Sequence, residues 1–288
     1  MREPSLPGLD AGPYQITDHE FGLFRTLVQR ETGIQLTDAK RPLLVGRLAR
    51  RLRELRLPSF GAYYRRITRE SDHAERIRMI DLISTNETHF FREPKQFDFL
   101  EQALIPAWSN EADAGSRPRS LRIWSAACSS GEEPFSVGMV LLHHLPGWTI
   151  DILATDLSTR ILEKARTALW PIEKSREIPE PYLKAFMLRG IGANQGTMKA
   201  GAELRRLVRF ERVNLHQDPL PIDGLFDLIL CRNVLIYFSA EGRAQVVRRL
   251  IEHLGPRGHL FLGHAETLNG LDDRLRARGP AAYSWNGR

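Results

Sequence analysis

Only two of the 288 residues are cysteines, Cys128 and Cys231. A pair permits one disulfide at most and builds neither a disulfide framework nor a cysteine-based metal site, so both are expected reduced and buried. No apolar run reaches the ~20 residues a membrane-spanning helix needs; the strongest, 225–238, is broken by Asp227, Arg232 and Asn233. The chain is therefore not expected to be an integral membrane protein. Its first ten residues, MREPSLPGLD, lack the apolar stretch of a secretory leader, and a cytoplasmic location is expected. The histidine pairs His143/His144 and His259/His264 have no acidic companions at ligand spacing, which argues against a metal centre. Also missing are a GxGxxG dinucleotide fingerprint and a Gly-Lys-Ser/Thr phosphate loop, so neither a standard nicotinamide enzyme nor an ordinary ATPase follows.

With 42% apolar and 26% charged residues, the composition is that of an ordinary globular protein. The excess of 41 basic over 35 acidic residues, +6, allows an acidic partner but is too small and dispersed to imply nucleic acid. One block stands out. Residues 40–56 hold Lys40, Arg41, Arg47, Arg50, Arg51, Arg53 and Arg56 against the single acid Glu54.

Residues 1–13, with three prolines and two glycines, read as a loose leader. From Thr17 or Asp18, either of which can cap a helix, Phe21, Phe24, Leu27 and Val28 recur at helical spacing. A second helix is expected over 38–55 with Leu44, Leu48, Leu52 and Leu55 on one stripe, and shorter helical patterns follow over 60–68 and 72–83. Together these make a small all-helical domain, 14–75. A linker, 76–110, contains Pro94 and a further helical pattern, and a polar loop is expected at 110–120. Over 111–288 the grammar changes to buried strand patterns at 121–126, 150–154, 226–230 and 259–263 alternating with helices, an α/β sheet domain. Its interval 171–209 is too long for a bare loop and is expected to form a small subdomain, with one helix after Pro179-Glu-Pro181.

Three segments are suited to a ligand crevice. WSAACSSGEEP at 124–134 reads as strand, small-residue turn and helix, where main-chain amides can approach a polar group, or simply as a tight turn. Asp156 closes the next strand, where an acid accepts hydrogen bonds from ribose hydroxyls or, equally, caps a helix. The third, 226–238, ends in Arg232, Asn233 and Tyr237, able to pair with a carboxylate, fix a polar group and offer a hydroxyl; a surface cation, a turn residue and a core aromatic are their ordinary alternatives.

In order along the chain, STNETHFFRE (84–93), WSAACSSGEEP (124–134), ATD (154–156), VNL (213–215) and CRNVLIY (231–237) resemble the CheR family, glutamate O-methyltransferases of chemotaxis receptors that use S-adenosylmethionine. The likeness spans about 14–285. It implies a Rossmann-like methyltransferase domain with an N-terminal all-helical receptor-interaction domain, a cofactor-lid region within 76–110 and a small inserted beta subdomain. By the same resemblance Asn86, Thr88 and Arg92 match cofactor-proximal positions, Glu132 or Glu133 contacts the amino-acid end of the cofactor, and Asp156 the ribose. Asn214 and Leu215 face the adenine, Arg232 and Asn233 form a further cofactor pair, and Arg92 and Tyr237 stand nearest the methyl transfer. His89 and Cys128 depart from the common pattern and are expected to pack. The expected products are a glutamate methyl ester and S-adenosylhomocysteine, with no metal and no general base.

The resemblance also gives the basic helix a partner, the acidic cytoplasmic helical region of chemotaxis receptors, with Arg47, Arg50, Arg51 and Arg53 as its contacts; the other reading is a solvated helix face. In some members the inserted subdomain docks a receptor C-terminal peptide by strand addition. An S-adenosylmethionine-binding regulatory or scaffold protein without turnover is the alternative function. Recruitment from the cytoplasm to membrane-receptor arrays completes the expectation.

Overall fold

In the computed structural model, which describes residues 14–268 and 271–286, Thr17 caps the first helix from both directions. Its hydroxyl accepts the Glu20 N–H while the Glu20 carboxylate accepts the Thr17 N–H, a reciprocal pairing that satisfies two orphan donors. The leader read over 1–13 lies outside the described residues. Helix α1 (Asp18–Thr32) is followed by α2 (Arg41–Glu54), α3 (Phe60–Ile67) and α4 (His73–Ile83). Leu44, Leu48 and Leu52 of α2 are completely buried, as are Phe24, Phe60 and Tyr63, and truncating one such leucine to alanine costs about 2–5 kcal/mol.

The chain divides into two compact units between Ser84 and Thr85. Helix α4, which a boundary at 75 would cut, stays with the first unit because Glu75 accepts two hydrogen bonds from Arg51 of α2, 2.9 and 2.6 Å, and one from the Tyr63 hydroxyl of α3, 2.9 Å. Burial alone would raise the Glu75 carboxyl; these donors overcome it and hold it below the ordinary range.

The second unit begins with an irregular segment and α5 (Pro94–Phe99), which runs through a π-helical turn, Leu100–Leu104, into α6 (Ile105–Asp113). Because α6 continues to Asp113, the polar loop before the first strand is shorter than the expected 110–120. There follow β1 (Ser120–Ala126), α7 (Glu132–His144), β2 (Thr149–Asp156) and α8 (Thr159–Thr167). Next come β3 (Leu169–Pro171), α9 (Glu180–Phe186), β4 (Met187–Arg189), β5 (Thr197–Ala200), α10 (Ala202–Leu207) and β6 (Val208–Arg212). The chain closes with β7 (Phe226–Cys231), α11 (Ala240–Glu252), β8 (Leu254–Leu262), β9 (Leu275–Gly279) and β10 (Ala282–Trp285).

The large sheet has the order β6-β2-β1-β7-β8-β10-β9, its first five strands parallel and β10 antiparallel to both neighbours. Alternate residues face opposite layers, as the two-residue period of a strand requires. Leu121, Ile123, Leu228 and Leu230 join one core with α6 and α7, whereas Trp124, Ala126, Ile229 and Cys231 join the other with α11. Between β2 and β6 the chain builds a separate antiparallel sheet, β3-β5-β4, the small inserted beta subdomain. Strand β6 was not anticipated: its sequence VRFER alternates because it is an edge strand, half solvated, paired only with β2. Nor were β9 and β10, whose LRARG and AYSW are too short and polar to stand out. No described helix is long and apolar enough to cross a membrane.

Candidate functional site

In an open parallel sheet the ligand crevice lies outside the carboxyl ends of the strands, where the strand order reverses. Here that point lies at β1, flanked by β2 and β7. Its edge is formed by the turn after β1, Asp156 ending β2, the residues after β6 and β7, and the turn after β8. Five non-glycine residues with left-handed backbone belong to these turns and to the segment before α5: Phe91, Glu93, Ala127, Ser129 and Asn233, at φ 50°, 64°, 63°, 51° and 58°. Conformations of this kind cost about 1–3 kcal/mol each and gather at functional sites.

The turn after β1 is fastened to β2. Asp156 accepts the N–H of Ser129 on Oδ2 and of Ser158 on Oδ1, both at 2.9 Å, and the Cys128 N–H donates to the Thr155 carbonyl, 2.8 Å. The helix-cap reading of Asp156 fails, since Ser158 caps α8 with its own hydroxyl. Burial first, then the nearby Asp156 carboxylate, push the Cys128 thiol well above its ordinary value. Cys128 and Cys231 are both free and buried; neither is a nucleophile in this state.

The adjacent glutamates at the start of α7 are buried but differently engaged. Glu132 accepts the Ser130 hydroxyl, 2.6 Å, and lies 2.8 Å from Lys174 Nζ. Glu133 accepts the Ser125 hydroxyl on Oε1 and Arg232 Nε on Oε2, each at 2.6 Å. Arg232 is thus no surface cation. Its Nη1 donates to the carbonyl of Arg92, 2.6 Å, and to Gln96 Oε1, 3.1 Å, and its guanidinium lies over the Phe97 ring. The reading that paired Arg232 with the cofactor meets a side chain already engaged with Glu133, Gln96 and the Arg92 main chain.

The segment carrying Asn86, Thr88 and Arg92 is irregular rather than helical, and is pinned along its length. The Asn86 carbonyl accepts the Ser129 hydroxyl, 2.9 Å, and the Thr88 carbonyl accepts Lys174 Nζ, 3.0 Å. Phe90 N–H donates to Glu177 Oε2, 2.8 Å, and Phe91 N–H to the Ser136 hydroxyl, 3.0 Å. Phe91 stacks on Tyr182 of the inserted subdomain, ring centroids 5.4 Å apart at 11°. Arg92, half-buried, donates to the Glu87 carbonyl at 3.2 Å. His89 is exposed. Beyond β6, Val213 N–H donates to the Asp156 carbonyl, 3.1 Å, Asn214 Oδ1 accepts the His216 N–H, 3.0 Å, and Leu215 is buried. Tyr237 is half-buried in a short 3₁₀ turn, Leu235–Tyr237.

Two residues of this edge were not singled out from sequence. Glu93 Oε1 accepts Asn233 Nδ2, 3.2 Å, and the His264 N–H, 2.9 Å. Glu266, 7% exposed, accepts main-chain N–H groups of Gly263 and Asn233. Burial pushes its carboxyl above the ordinary value against the pull of these donors. A carboxylate three residues after a buried strand's terminal glycine was the available signal.

Among the described residues no group of three or more His, Cys, Asp or Glu side chains is arranged to hold a metal. Three buried polar atoms in this edge lack hydrogen-bond partners: Asn86 Nδ2, Glu93 Oε2 and Asn233 Oδ1. One donor and two acceptors, withdrawn from water, suit a ligand that has both a carboxylate and N–H or O–H groups, as S-adenosylmethionine does.

The basic helix belongs to the other unit and its arginines divide into two kinds. Arg47 donates to the carbonyls of Ile83 and Ser84, both 2.7 Å, closing the end of α4, and Arg51 is bound to Glu75 and Glu54. Arg50, paired with Glu54 at the surface, and Arg53 are exposed.

Comparison with known proteins agrees with this geometry. The family described as "CheR methyltransferase, SAM binding domain" matches residues 86–283, and "CheR methyltransferase, all-alpha domain" matches 19–84. Chemotaxis protein methyltransferase 2 of Pseudomonas aeruginosa is 37% identical over 273 residues, covering 94% of each chain. The chemotaxis protein methyltransferase of Escherichia coli is 35% identical over 273 residues, 93% of this chain and 91% of the relative. That of Borreliella burgdorferi is 34% identical over 275 residues, 94% and 95%. Architecture, crevice and relatives converge, and the chain belongs to the CheR family of S-adenosylmethionine-dependent methyltransferases.

Proposed function

We infer that this chain transfers a methyl group from S-adenosylmethionine to glutamate side chains of chemotaxis receptors, releasing S-adenosylhomocysteine. Membership of the family over both of its domains carries this reading. The bound sulfonium supplies an electrophilic methyl; a glutamate carboxylate, ionised near neutral pH, is nucleophilic without a base. The chain's contribution is then alignment and exclusion of water. Asn86, Thr88 and Arg92 form one wall, Arg92 facing the carboxylate end of the cofactor or the reacting glutamate. The pinned turn at 127–131 and Glu132 lie toward the amino-acid end, Asp156 toward the ribose and Asn214 and Leu215 toward the adenine. Asn233 presents its unpartnered Oδ1 to a donor, and Tyr237 orients the incoming carboxylate. Glu133 and Arg232 support this wall from behind through the Arg92 carbonyl.

The partner is the acidic cytoplasmic helical region of a receptor, met by the exposed Arg50 and Arg53 of α2. In the inserted subdomain β4 is an edge strand, with Leu188 and Ile191 58% and 83% exposed beside it. An extended receptor C-terminal peptide adds to such an edge by main-chain pairing. This reading places the chain in the cytoplasm at receptor arrays. The test is transfer of labelled methyl from S-adenosylmethionine to receptor cytoplasmic fragments, with mass spectrometry of the product. Glutamate methyl ester lost in Arg92→Ala supports it; cofactor binding without transfer to any fragment turns the reading to a regulatory protein.

A further inference from the structure

We propose that Glu266 is a positioning residue of the methyl transfer, a buried carboxylate that gathers main-chain N–H groups from two loops and thereby fixes Asn233 and the turn bearing Tyr237. The proposal rests on the methyltransferase reading of the crevice. Glu266 Oε2 accepts the N–H of Gly263 at 2.7 Å and of Asn233 at 2.9 Å, and Oε1 accepts that of Ile236 at 3.3 Å. Its own N–H returns to the Gly263 carbonyl at 2.8 Å, closing the turn after β8. One side chain from the end of β8 thus holds the start and middle of the loop that leaves β7.

Asn233 is held at both its main chain and its side chain. Its backbone is left-handed, at φ 58°, a conformation open to asparagine that these contacts fix in one orientation. Glu266 binds its main chain while Glu93 accepts its side-chain Nδ2 at 3.2 Å. That bond orients the amide so that Oδ1, a buried atom with no partner within the protein, remains open to a donor. Space confirms how tight the junction is. A Cβ on Gly263 would stand 2.6 Å from Glu266 Oε2 and 2.7 Å from both Asn233 N and Nδ2. A loop that had only to reverse direction would not need a buried carboxylate, which is costly to desolvate; one that must hold an asparagine in a single orientation does.

The experiment is a double-mutant cycle of Glu266→Ala and Asn233→Ala in the full chain, read as kcat and KM for labelled-methyl transfer to a receptor fragment and as S-adenosylhomocysteine affinity by calorimetry. It is run below the onset of melting for every variant. Glu266→Ala is expected to lower kcat/KM about 30-fold, yet to add no more than about threefold once Asn233 is already alanine, since it acts through that residue. Glu266→Gln, which keeps an acceptor oxygen for Gly263 and Asn233, should stay within about fivefold of the wild type. Should Glu266→Ala not fold, Glu266→Asp, whose shorter carboxylate cannot reach all three donors, takes its place. Additive losses in the cycle, or unchanged kcat/KM in a folded Glu266→Ala, overturn the proposal. A wild-type chain that binds S-adenosylhomocysteine but methylates no fragment defeats the functional reading instead, and the cycle on affinity then decides the role of Glu266 alone.

Discussion

Arg232 holds the main-chain carbonyl of Arg92 at 2.6 Å while its Nε is bound to Glu133 at 2.6 Å. Arg92, proposed to align the reacting groups, therefore takes its backbone position from a buried guanidinium that directly follows β7. Side-chain exposure of 2% for Arg232 and 9% for Glu133 leaves both charges largely withdrawn from water.

Removing one partner strands the other as a buried charge, an effect of about 3–5 kcal/mol. Arg232→Met should lower the melting temperature by roughly 10 °C. Glu133→Gln combined with Arg232→Met should cost less than the sum of the two single changes. Thermal unfolding of the four proteins measures this, and additive losses would show that the pair is not coupled.

The two kinds of arginine on α2 should separate in kinetics. Charge reversal at Arg50 and Arg53 is expected to raise the KM for an acidic receptor fragment about 5–10-fold with kcat unchanged, an effect that shrinks as salt rises. Arg51→Ala instead leaves Glu75 buried without its cation and lowers stability by about 2–4 kcal/mol. Steady-state kinetics at two ionic strengths, beside melting curves, distinguish the outcomes.

His259 predicts an acid sensitivity unrelated to the crevice. Burial, then the charges of Arg278 and Arg117, lower its pKa to about 4. The unfolded chain protonates this histidine near 6.5, so between about pH 6.5 and 4 it binds more protons than the folded chain, and stability falls with pH across that window. The loss between pH 7 and pH 5 should be about 2 kcal/mol. Denaturant titrations of wild type and His259→Leu at the two pH values check it: the variant should lose that much less.

Gly263→Ala forces a methyl group against Glu266 Oε2 and both nitrogens of Asn233. Affinity for S-adenosylhomocysteine should drop at least about tenfold while the fold survives, since the clash is confined to one turn. Calorimetry with a circular-dichroism control tests this; unchanged affinity would mean that the turn can yield without disturbing Asn233.

The helical domain and the central strands were legible because their information is local. Phe21, Phe24 and Leu27, or Leu44, Leu48 and Leu52, mark a buried face by spacing alone, and all are buried. Asp156, Arg232 and Asn233 could be placed at strand ends for the same reason. What the spacing could not convey was pairing across the sheet. Nothing local says that Glu133 will meet Arg232, 99 positions away, or that Arg51 will spend its charge on Glu75. Edge strands β6 and β9 failed to register because each is short and half of it faces water, so neither forms an apolar run like those of the central strands. Glu266 was missed because a lone acid in a turn looks like any solvated carboxylate until the strand beside it is known.

The left-handed residues around the crevice give evolution a particular choice. Replacing Ala127 by glycine would relax the backbone where it stands, and the resting protein would tolerate more heat, whereas glycine at Phe91 or Ser129 would lose the ring stacking or the hydrogen bond to Asn86 that those side chains make. Glycine at 127 would also let the turn wander, and a cofactor would then have to rebuild the cradle at every turnover. Variants selected for heat resistance should accordingly collect at this rim and work more slowly, whereas variants selected for speed should leave it tense.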